Sequence, residues 1–247
     1  MIVITRSVRT RMLLRSLTVQ GSWNYETLIG PGFAFTILPA LREIHTRDED
    51  VDAAVRRHVE LFNSHPYLAT VAVGAISRLE LNHEDPVVIN RFKTALRGSL
   101  GSIGDRLIWS TWRPMSALAG LALILAGADW WVALLFFLVV YNIMHLAIRM
   151  LGLKMGLEAG LDIGKHLKSL PLQPLIDRSS QAACLLVGLT VALSAAPALK
   201  VPVGAAAVGI AVFAGLVLGY RARGAMTALV AVVVTIALIL GMVGYGA

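Results

Sequence analysis

Three polar residues, Asn63, Ser64 and His65, stand directly before Pro66, where an apolar run begins that extends to Leu79. An asparagine side chain offers an acceptor and two donors, and a neutral imidazole offers one of each. These groups could replace the water that a hydroxyl-rich ligand loses on binding. The alternative is structural: Ser64 caps a helix that begins at Pro66, and Asn63 ties down the turn. The residue types alone leave both roles open.

A second polar segment is rich in glycine and serine and ends in Asp105. Gly101 and Gly104 would let another part of the chain, or a ligand, approach the backbone closely. The Lys-Ser/Thr ending of a nucleotide-binding loop is absent. A carboxylate near a membrane needs a partner or contact with water. Asp105 is therefore expected either to pair with Arg106 or Arg113 as a structural lock, or to accept hydrogen bonds from ligand hydroxyls.

Aromatic and basic residues lie together near the N-terminus. Trp23, Asn24 and Tyr25 follow a stretch that contains Arg11 and Arg15. This combination is typical of an amphipathic arm, placed either on the membrane surface or against a neighbouring subunit. No apolar segment follows the arginines closely, so a cleavable signal peptide is not expected.

Other polar residues suggest no catalytic set. Asn142 and His145 share a helical face in an apolar run, where they either join helices or line a path. No Glu or second His completes a metal-binding spacing there, and no metal or cofactor is expected. Cys184 is expected to be a small buried hydrophobe. The remaining loop-region histidines are expected to be solvated, and none suits a phosphorelay: His45, His58, His83 and His166.

Composition places the chain in a membrane. Of its 247 residues, 57% are hydrophobic and 15% are charged, and the mean hydropathy is +0.72. Soluble domains are about 45–50% apolar and about 25% charged. The net charge of +7 is attributed to basic cytoplasmic loops rather than to nucleic-acid binding, because no aromatic-rich basic module accompanies it.

The apolar runs predict an all-α integral membrane protein with about five transmembrane helices. The long runs cover residues 115–128, 130–148, 182–199, 201–219 and 225–246. Two shorter runs, 28–41 and 66–79, are expected to form a re-entrant hairpin region. Between them, the acidic residues 48–52 are expected to open a helix. The predicted organisation is a basic amphipathic arm (1–26), a re-entrant substrate-path region (27–113) and a transmembrane bundle (114–247).

The distribution of positive charge predicts orientation. In a five-span bundle, twelve Lys and Arg residues in segments 91–113, 149–181 and 221–223 share one side, against Lys200 on the other. Lys and Arg collect in cytoplasmic loops. The N-terminus is therefore expected in the cytoplasm and the C-terminus outside.

Four blocks of residues carry a family resemblance. They are Arg15-Ser16 with Gln20-Gly21-Ser22-Trp23-Asn24-Tyr25-Glu26, Gly32-Phe33-Ala34-Phe35 and Leu38-Pro39-Ala40-Leu41; Arg57-His58-Val59-Glu60-Leu61-Phe62-Asn63-Ser64-His65-Pro66-Tyr67-Leu68; Gly98-Ser99-Leu100-Gly101-Ser102-Ile103-Gly104-Asp105 with Trp109 and Arg113-Pro114; and Tyr141-Asn142 with Arg149, Gly152-Leu153-Lys154 and Gly156. In this order and spacing the chain resembles the IID component of the mannose/fructose/sorbose-family phosphotransferase system. Arg106 departs from the family pattern, which usually has proline after the Gly-Asp pair.

The resemblance implies a membrane subunit of a sugar permease in a bacterial cytoplasmic membrane. A IIC subunit would complete the path for a hexose-class sugar, and trimers of IIC–IID pairs are expected. Cytoplasmic IIA and IIB proteins would carry phosphate, so this chain itself is not expected to be an enzyme. Asn63, Ser64, His65 and Asp105 are the expected sugar contacts, and Pro66, Gly101, Gly104 and Arg113 the structural or hinge positions.

Two alternatives remain at this point. One is a self-sufficient polytopic transporter of another class. The other is a regulatory or scaffold membrane protein that retains the fold but has lost transport, an alternative that Arg106 and the short chain support.

Overall fold

The computed structural model describes residues 4–194, and within them the regular secondary structure is helical. The helices are α1 (Arg6–Ser16), α2 (Gly30–Ile44), α3 (Asp48–Val59), α4 (Ala69–Leu81), α5 (Pro86–Gly104), a π-helix (Asp105–Trp112), α6 (Arg113–Leu125), α7 (Trp130–Ala159), a 3₁₀ turn (Gly160–Asp162), α8 (Ile163–Ser169) and α9 (Leu172–Ser194). Isolated bridges join Asn24 to Leu28 and Leu28 to Phe62.

The chain divides into two compact units. Among the described residues, the first contains 4–106 and 143–171, and the second contains 107–142 and 172–194. The first unit therefore includes α1–α5, the C-terminal part of α7 and α8. The division expected from the sequence (1–26, 27–113 and 114–247) concerns function, and it stays a prediction.

The two short apolar helices, α2 and α4, form the core of the first unit. Every residue of α4 from Ala69 to Ser77 is buried, and Phe33, Ile37 and Leu41 of α2 are inaccessible to solvent. Both helices are close to the length expected from the short apolar runs. Protein covers α4 along this stretch and most of α2, in which Phe35 is 46% exposed.

Helix α1 packs against the core of the first unit. Val8, Met12 and Ser16, spaced four residues apart, form its buried face, and α1 lies against α2. The N-terminal arm is thus folded onto its own chain through one face. Its other face carries exposed residues such as Arg9 and Leu14.

Small residues let α4 and α7 approach closely within the first unit. A Cβ atom on Gly74 of α4 would overlap the carbonyl oxygen of Leu153, and one on Gly156 of α7 would overlap that of Val71. Glycine at such positions brings helix backbones together, as in membrane helix pairs. The polar elements near the start of α4 are therefore held rigidly against α7.

In the second unit, α6 packs on α9, and Gly120 of α6 lies beside Ala133 and Phe137 of α7. The turn between α6 and α7 contains Gly127 at φ +95°. Helices α6 and α7 therefore form a tight hairpin.

One helical stretch of the described residues, Trp130–Ser169, is long and apolar enough to cross a membrane, and only 6% of its most apolar window is buried. The apolar runs at 115–128, 130–148 and 182–199 coincide largely with α6, α7 and α9. The fourth and fifth predicted spans lie outside the described residues, so the number of about five spans stays a prediction.

Candidate functional site

The turn before α4 carries the candidate ligand-binding residues. Asn63 is exposed, whereas Ser64 and His65 are 6% and 2% exposed. The carbonyl oxygen of His65 accepts from the backbone N–H groups of Leu68 and Ala69, each at 3.0 Å. The turn therefore fixes His65 inside the first unit and leaves the Asn63 side chain at its surface.

The capping role considered for Ser64 is wrong. Helix α4 begins at Ala69, and its N-cap residue Leu68 makes no side-chain capping bond. The Ser64 hydroxyl instead donates to the His65 carbonyl at 3.3 Å, and Pro66 lies in the preceding turn. No hydrogen bond of the Asn63 side chain occurs among those found in the described residues, so the proposed tie to the turn is not formed by that amide.

The glycine-rich end of α5 lies against this turn. A Cβ atom on Gly104 would overlap Cβ and Cγ of His65 and lie 3.0 Å from its Nδ1, and one on Gly101 would lie 3.9 Å from Cα of Ser64. The two candidate segments, distant in sequence, thus meet within the first unit. Asp105 follows Gly104 directly and is exposed.

Asp105 does not form the expected lock with Arg106 or Arg113, since the ion pairs of the described residues do not include it. Asp105 is in the right-handed helical region at φ −60° and ψ −43°. A proline at position 106 would disfavour that conformation in the residue before it. Arg106 permits it, and the chain continues into the π-helix Asp105–Trp112.

An aromatic and cationic cluster adjoins His65. The Tyr67 ring meets the His65 ring edge-on at 4.9 Å and stacks on His145 of α7 at 4.0 Å. The Arg149 guanidinium lies 5.0 Å from the centre of the Tyr67 ring. It donates to Nε2 of His145 at 2.7 Å and also to the Ser16 carbonyl.

This cluster sets the protonation of both histidines. Because Nε2 of His145 accepts from Arg149, the proton of a neutral His145 ring resides on Nδ1. Burial, together with the charges of Arg149 and His145, lowers the pKa of His65 to about 4. His65 is therefore neutral at physiological pH. Its Nδ1 accepts from the backbone N–H of Tyr67 at 3.3 Å, so the ring proton lies on Nε2, from which it can be donated to a hydroxyl group.

Behind the turn, a buried carboxylate joins α3 to α4. Glu80 is 3% exposed and accepts from Arg57 at 2.8 Å and from His58 at 2.9 Å, with His45 at 3.4 Å. Burial alone would raise the pKa of Glu80, but the hydrogen bonds from His58 and Arg57 outweigh it and lower the pKa to about 2. Burial lowers the pKa of His58, so a neutral His58 donates from Nε2 while Arg57 supplies the balancing charge.

His58 was expected to be solvated, and that expectation is wrong, because it is fully buried. His83 and His166 are exposed, as expected, and His45 is partly buried. The buried His58 is bound to Glu80, which lies on a different helix and is distant from His58 in the sequence. The sequence therefore contains no local sign of its burial.

Lys93 of α5 stabilises the C-terminal end of α3. Its ammonium donates to the carbonyls of Arg57 and His58, each at 3.1 Å, and of Glu60 at 3.4 Å. Lys93 is 4% exposed, and burial lowers its pKa to about 8. A cation is favourable beside the carbonyls that end a helix. Lys93 and the buried Arg149 were both counted as loop charges, but each is bound within the protein.

The aromatic residues near the N-terminus, which were expected to contact the membrane or a neighbouring subunit, are exposed. Trp23 and Tyr25 are 46% and 90% exposed, and their rings meet edge-on at 4.7 Å. Oδ1 of Asn24 accepts from the backbone N–H groups of Glu26 and Thr27 at 2.9 and 2.8 Å. Asn24 thus shapes the loop, while the two aromatic rings are available to membrane or partner.

Comparison with known proteins identifies relatives. The family model described as PTS system mannose/fructose/sorbose family IID component matches residues 3–212. The mannose-specific EIID component of Escherichia coli strain K12 is 32% identical over 194 residues, covering 76% of this chain and 68% of the relative. The sorbose-specific EIID component of Klebsiella pneumoniae is 31% identical over 193 residues, covering 76% and 70%.

A solved structure is also similar. A chain in the cryo-EM structure of the mannose transporter ManYZ in complex with microcin E492 (MceA) is 32% identical to this one. The match has a TM-score of 0.62 and covers 77% of this chain and 71% of the other.

Proposed function

Because this chain belongs to the mannose/fructose/sorbose family of phosphotransferase-system IID components, we propose that it forms one side of a sugar path completed by a IIC-type subunit. It is a IID membrane subunit of a phosphotransferase-system permease. The similar mannose transporter ManYZ supports a two-subunit membrane complex as the working assembly.

The observation that supports the sugar path best is the meeting of two polar segments. Ser64 and His65 lie against Gly101 and Gly104, directly before the exposed Asp105. Asn63 and Asp105, which adjoin these contacting residues in the sequence, are both exposed and are the direct sugar ligands in our proposal. A neutral His65, whose Nδ1 accepts from the backbone N–H of Tyr67, contributes its Nε2–H as a further donor to the sugar.

Phosphoryl transfer lies outside this chain in the proposal. No group of three or more His, Cys, Asp or Glu side chains in the described residues is arranged to hold a metal ion. The buried His58 is bound to Glu80 and His65 is packed against Gly104, positions poorly suited to exchange phosphate with a soluble carrier. In the proposal, cytoplasmic IIA and IIB proteins supply the phosphate, and the working complex is a trimer of IIC–IID pairs.

Equilibrium sugar binding by the assembled IIC–IID complex tests the site. Replacing Asp105 by Asn should weaken binding roughly ten-fold, because a hydrogen bond to a charged group is worth about 1.5–3 kcal/mol. Asp52→Asn, on the exposed face of α3, removes the same charge and should leave affinity unchanged. Equal affinity in the Asp105→Asn complex and the wild type would remove Asp105 from the sugar path.

A further inference from the structure

A groove between α1 and α2 has an unbalanced positive charge. Its volume is about 310 Å³. Arginines line it from both helices, with two aliphatic residues, a proline, a threonine and one carboxylate completing the wall: Thr5, Val8, Arg11, Arg15, Leu38, Pro39, Arg42 and Glu43. The sugar path proposed above uses none of these residues.

Among the described residues, no carboxylate lies within ion-pair distance of Arg11, Arg15 or Arg42. The one acidic residue of the groove, Glu43, accepts the backbone N–H of Thr5 at 3.3 and 3.4 Å, at the N-terminal end of α1. Arg15 lies about 15 Å further along that helix, at a rise of about 1.5 Å per residue. The carboxylate thus lies far from Arg15, whereas Arg42 is its neighbour in α2 and yet forms no ion pair with it.

In this structure, the positive charges of the three groove arginines repel one another. Arg11 and Arg15 are one helical turn apart on the same face, where like charges are unfavourable. Burial lowers the pKa of Arg15, and the charges of Arg42 and Arg11 lower it further. An anion bound between the three side chains would relieve this repulsion.

Arg15 is held in position for such an anion. Its Nη1 donates to the Phe35 carbonyl at 3.1 Å, and its guanidinium lies over the Phe35 ring at 4.4 Å. A guanidinium carries five N–H donors in one plane. The ring contact and one donor fix the plane, and the other edges can bind two oxygens of one anion in the bidentate manner that suits phosphate.

From this arrangement we propose that the groove binds a phosphate group. The surroundings favour a phosphate carried by an anionic phospholipid over a free one. Phe35, Leu14 and Leu17 on or beside the same two helices are 46%, 61% and 49% exposed. Exposed apolar side chains beside arginines are typical of a surface that lies at the membrane interface and contacts anionic headgroups.

The test uses the full chain with its IIC partner in nanodiscs of phosphatidylcholine, with or without phosphatidylglycerol. Native mass spectrometry counts the phosphatidylglycerol molecules retained by the complex. The double variant Arg11→Gln/Arg42→Gln should reduce retention roughly ten- to thirty-fold, since each arginine that contacts an anionic headgroup contributes a factor of about five. Both side chains are exposed, so the fold should persist, and α1 helicity and complex assembly check this.

The matched control is Arg6→Gln/Arg9→Gln, which removes two exposed arginines of α1 that do not line the groove. It should retain phosphatidylglycerol as the wild type does. If both double variants retain equal amounts of phosphatidylglycerol, the groove is not a specific phosphate site. The arginines would then provide only a general attraction to an anionic surface. In a separate arm, inorganic phosphate is added to the complexes in phosphatidylcholine nanodiscs. Saturable phosphate binding that the groove variant loses would support the phosphate site but would show that its ligand is free phosphate rather than a phospholipid.

Discussion

Gly104 of α5 lies so close to His65 that a Cβ atom on the glycine would overlap Cβ and Cγ of the histidine. This contact joins the glycine-rich segment to the polar turn, and it places Asp105 next to both. The absence of a side chain at position 104 is therefore a structural requirement of the proposed sugar site.

The first prediction concerns that contact. Gly104→Ala should lower sugar affinity in the assembled complex and destabilise the first unit by about 1–3 kcal/mol, the usual cost of overpacking. The measurements are equilibrium sugar binding and thermal unfolding of the purified complex. Gly98→Ala, in the same helix, has no atom within 4 Å of the new Cβ and should be neutral or slightly stabilising. If the two alanine variants behave alike, the tight contact between α5 and the turn is not needed.

The second prediction concerns the polar turn itself. Asn63→Ala and His65→Ala should each weaken sugar binding roughly three- to thirty-fold while the complex still assembles, because a neutral hydrogen bond is worth about 0.5–1.5 kcal/mol and more if a buried partner is stranded. Uptake affinity and complex assembly are measured together. Asn82→Ala, at the exposed C-terminal end of α4, is the control. Unchanged affinity in both site variants would leave the turn a purely structural role.

The third prediction is a stability effect with a defined dependence on pH. The pKa of Glu80 is lowered from 4.5 to about 2 in the folded protein. Its stabilising contribution is therefore complete above about pH 4.5 and is lost as the pH falls toward 2. The linked free energy is about 3–4 kcal/mol, because a difference of one between the folded and unfolded pKa values corresponds to about 1.4 kcal/mol.

Glu80→Gln should accordingly destabilise the protein at neutral pH by about 3 kcal/mol, because it leaves the buried charge of Arg57 without its countercharge. It should also flatten the decline in thermal stability between pH 5 and pH 3. Glu158→Gln is the matched control, since the Lys154–Glu158 pair is 67% and 66% exposed at 3.9 Å. Such exposed pairs contribute little. A variant at Glu80 with wild-type stability and pH profile would show that the buried network does not support the fold.

How far the sequence predicts this structure depends on the range of the interactions. The short apolar runs correctly indicate α2 and α4, and the acidic residues Asp48, Glu49 and Asp50 correctly mark the first turn of α3. These are local signals, because helix length and the first-turn charge preference depend on neighbouring residues.

The buried polar contacts are not local. Glu80 bonds Arg57 and His58, which lie 23 and 22 residues away, and Arg149 bonds the Ser16 carbonyl 133 residues away. Nothing in the spacing pairs these residues, and so Lys93 and Arg149 looked like loop charges. In the sequence, the buried network is indicated only by Glu80, a carboxylate that directly follows the apolar run 66–79.

The fourth prediction concerns orientation. A single cysteine at Gly164, in a background that lacks Cys184, should be protected from an impermeant thiol reagent in intact cells, and one at Ala247 should react. Gly164 has open space around a new Cβ, whereas Gly160 is at φ +51° with Arg78 close by, so Gly164 is the suitable labelling site. The expected result follows from the cytoplasmic side preferred by Lys and Arg. The opposite labelling pattern would reverse the proposed topology.

Reconstitution in vesicles tests the central claim, that this chain is a IID subunit which transports only as part of a complex. The purified chain alone should give no sugar uptake. Adding the IIC partner should give specific sugar binding, and adding phosphorylated IIA and IIB should give sugar phosphate inside the vesicles. Robust uptake by the chain alone would contradict the account in favour of a self-sufficient carrier. An intact membrane complex that neither binds nor transports sugar would contradict it in favour of a regulatory subunit, with Arg106→Pro the first substitution expected to restore transport.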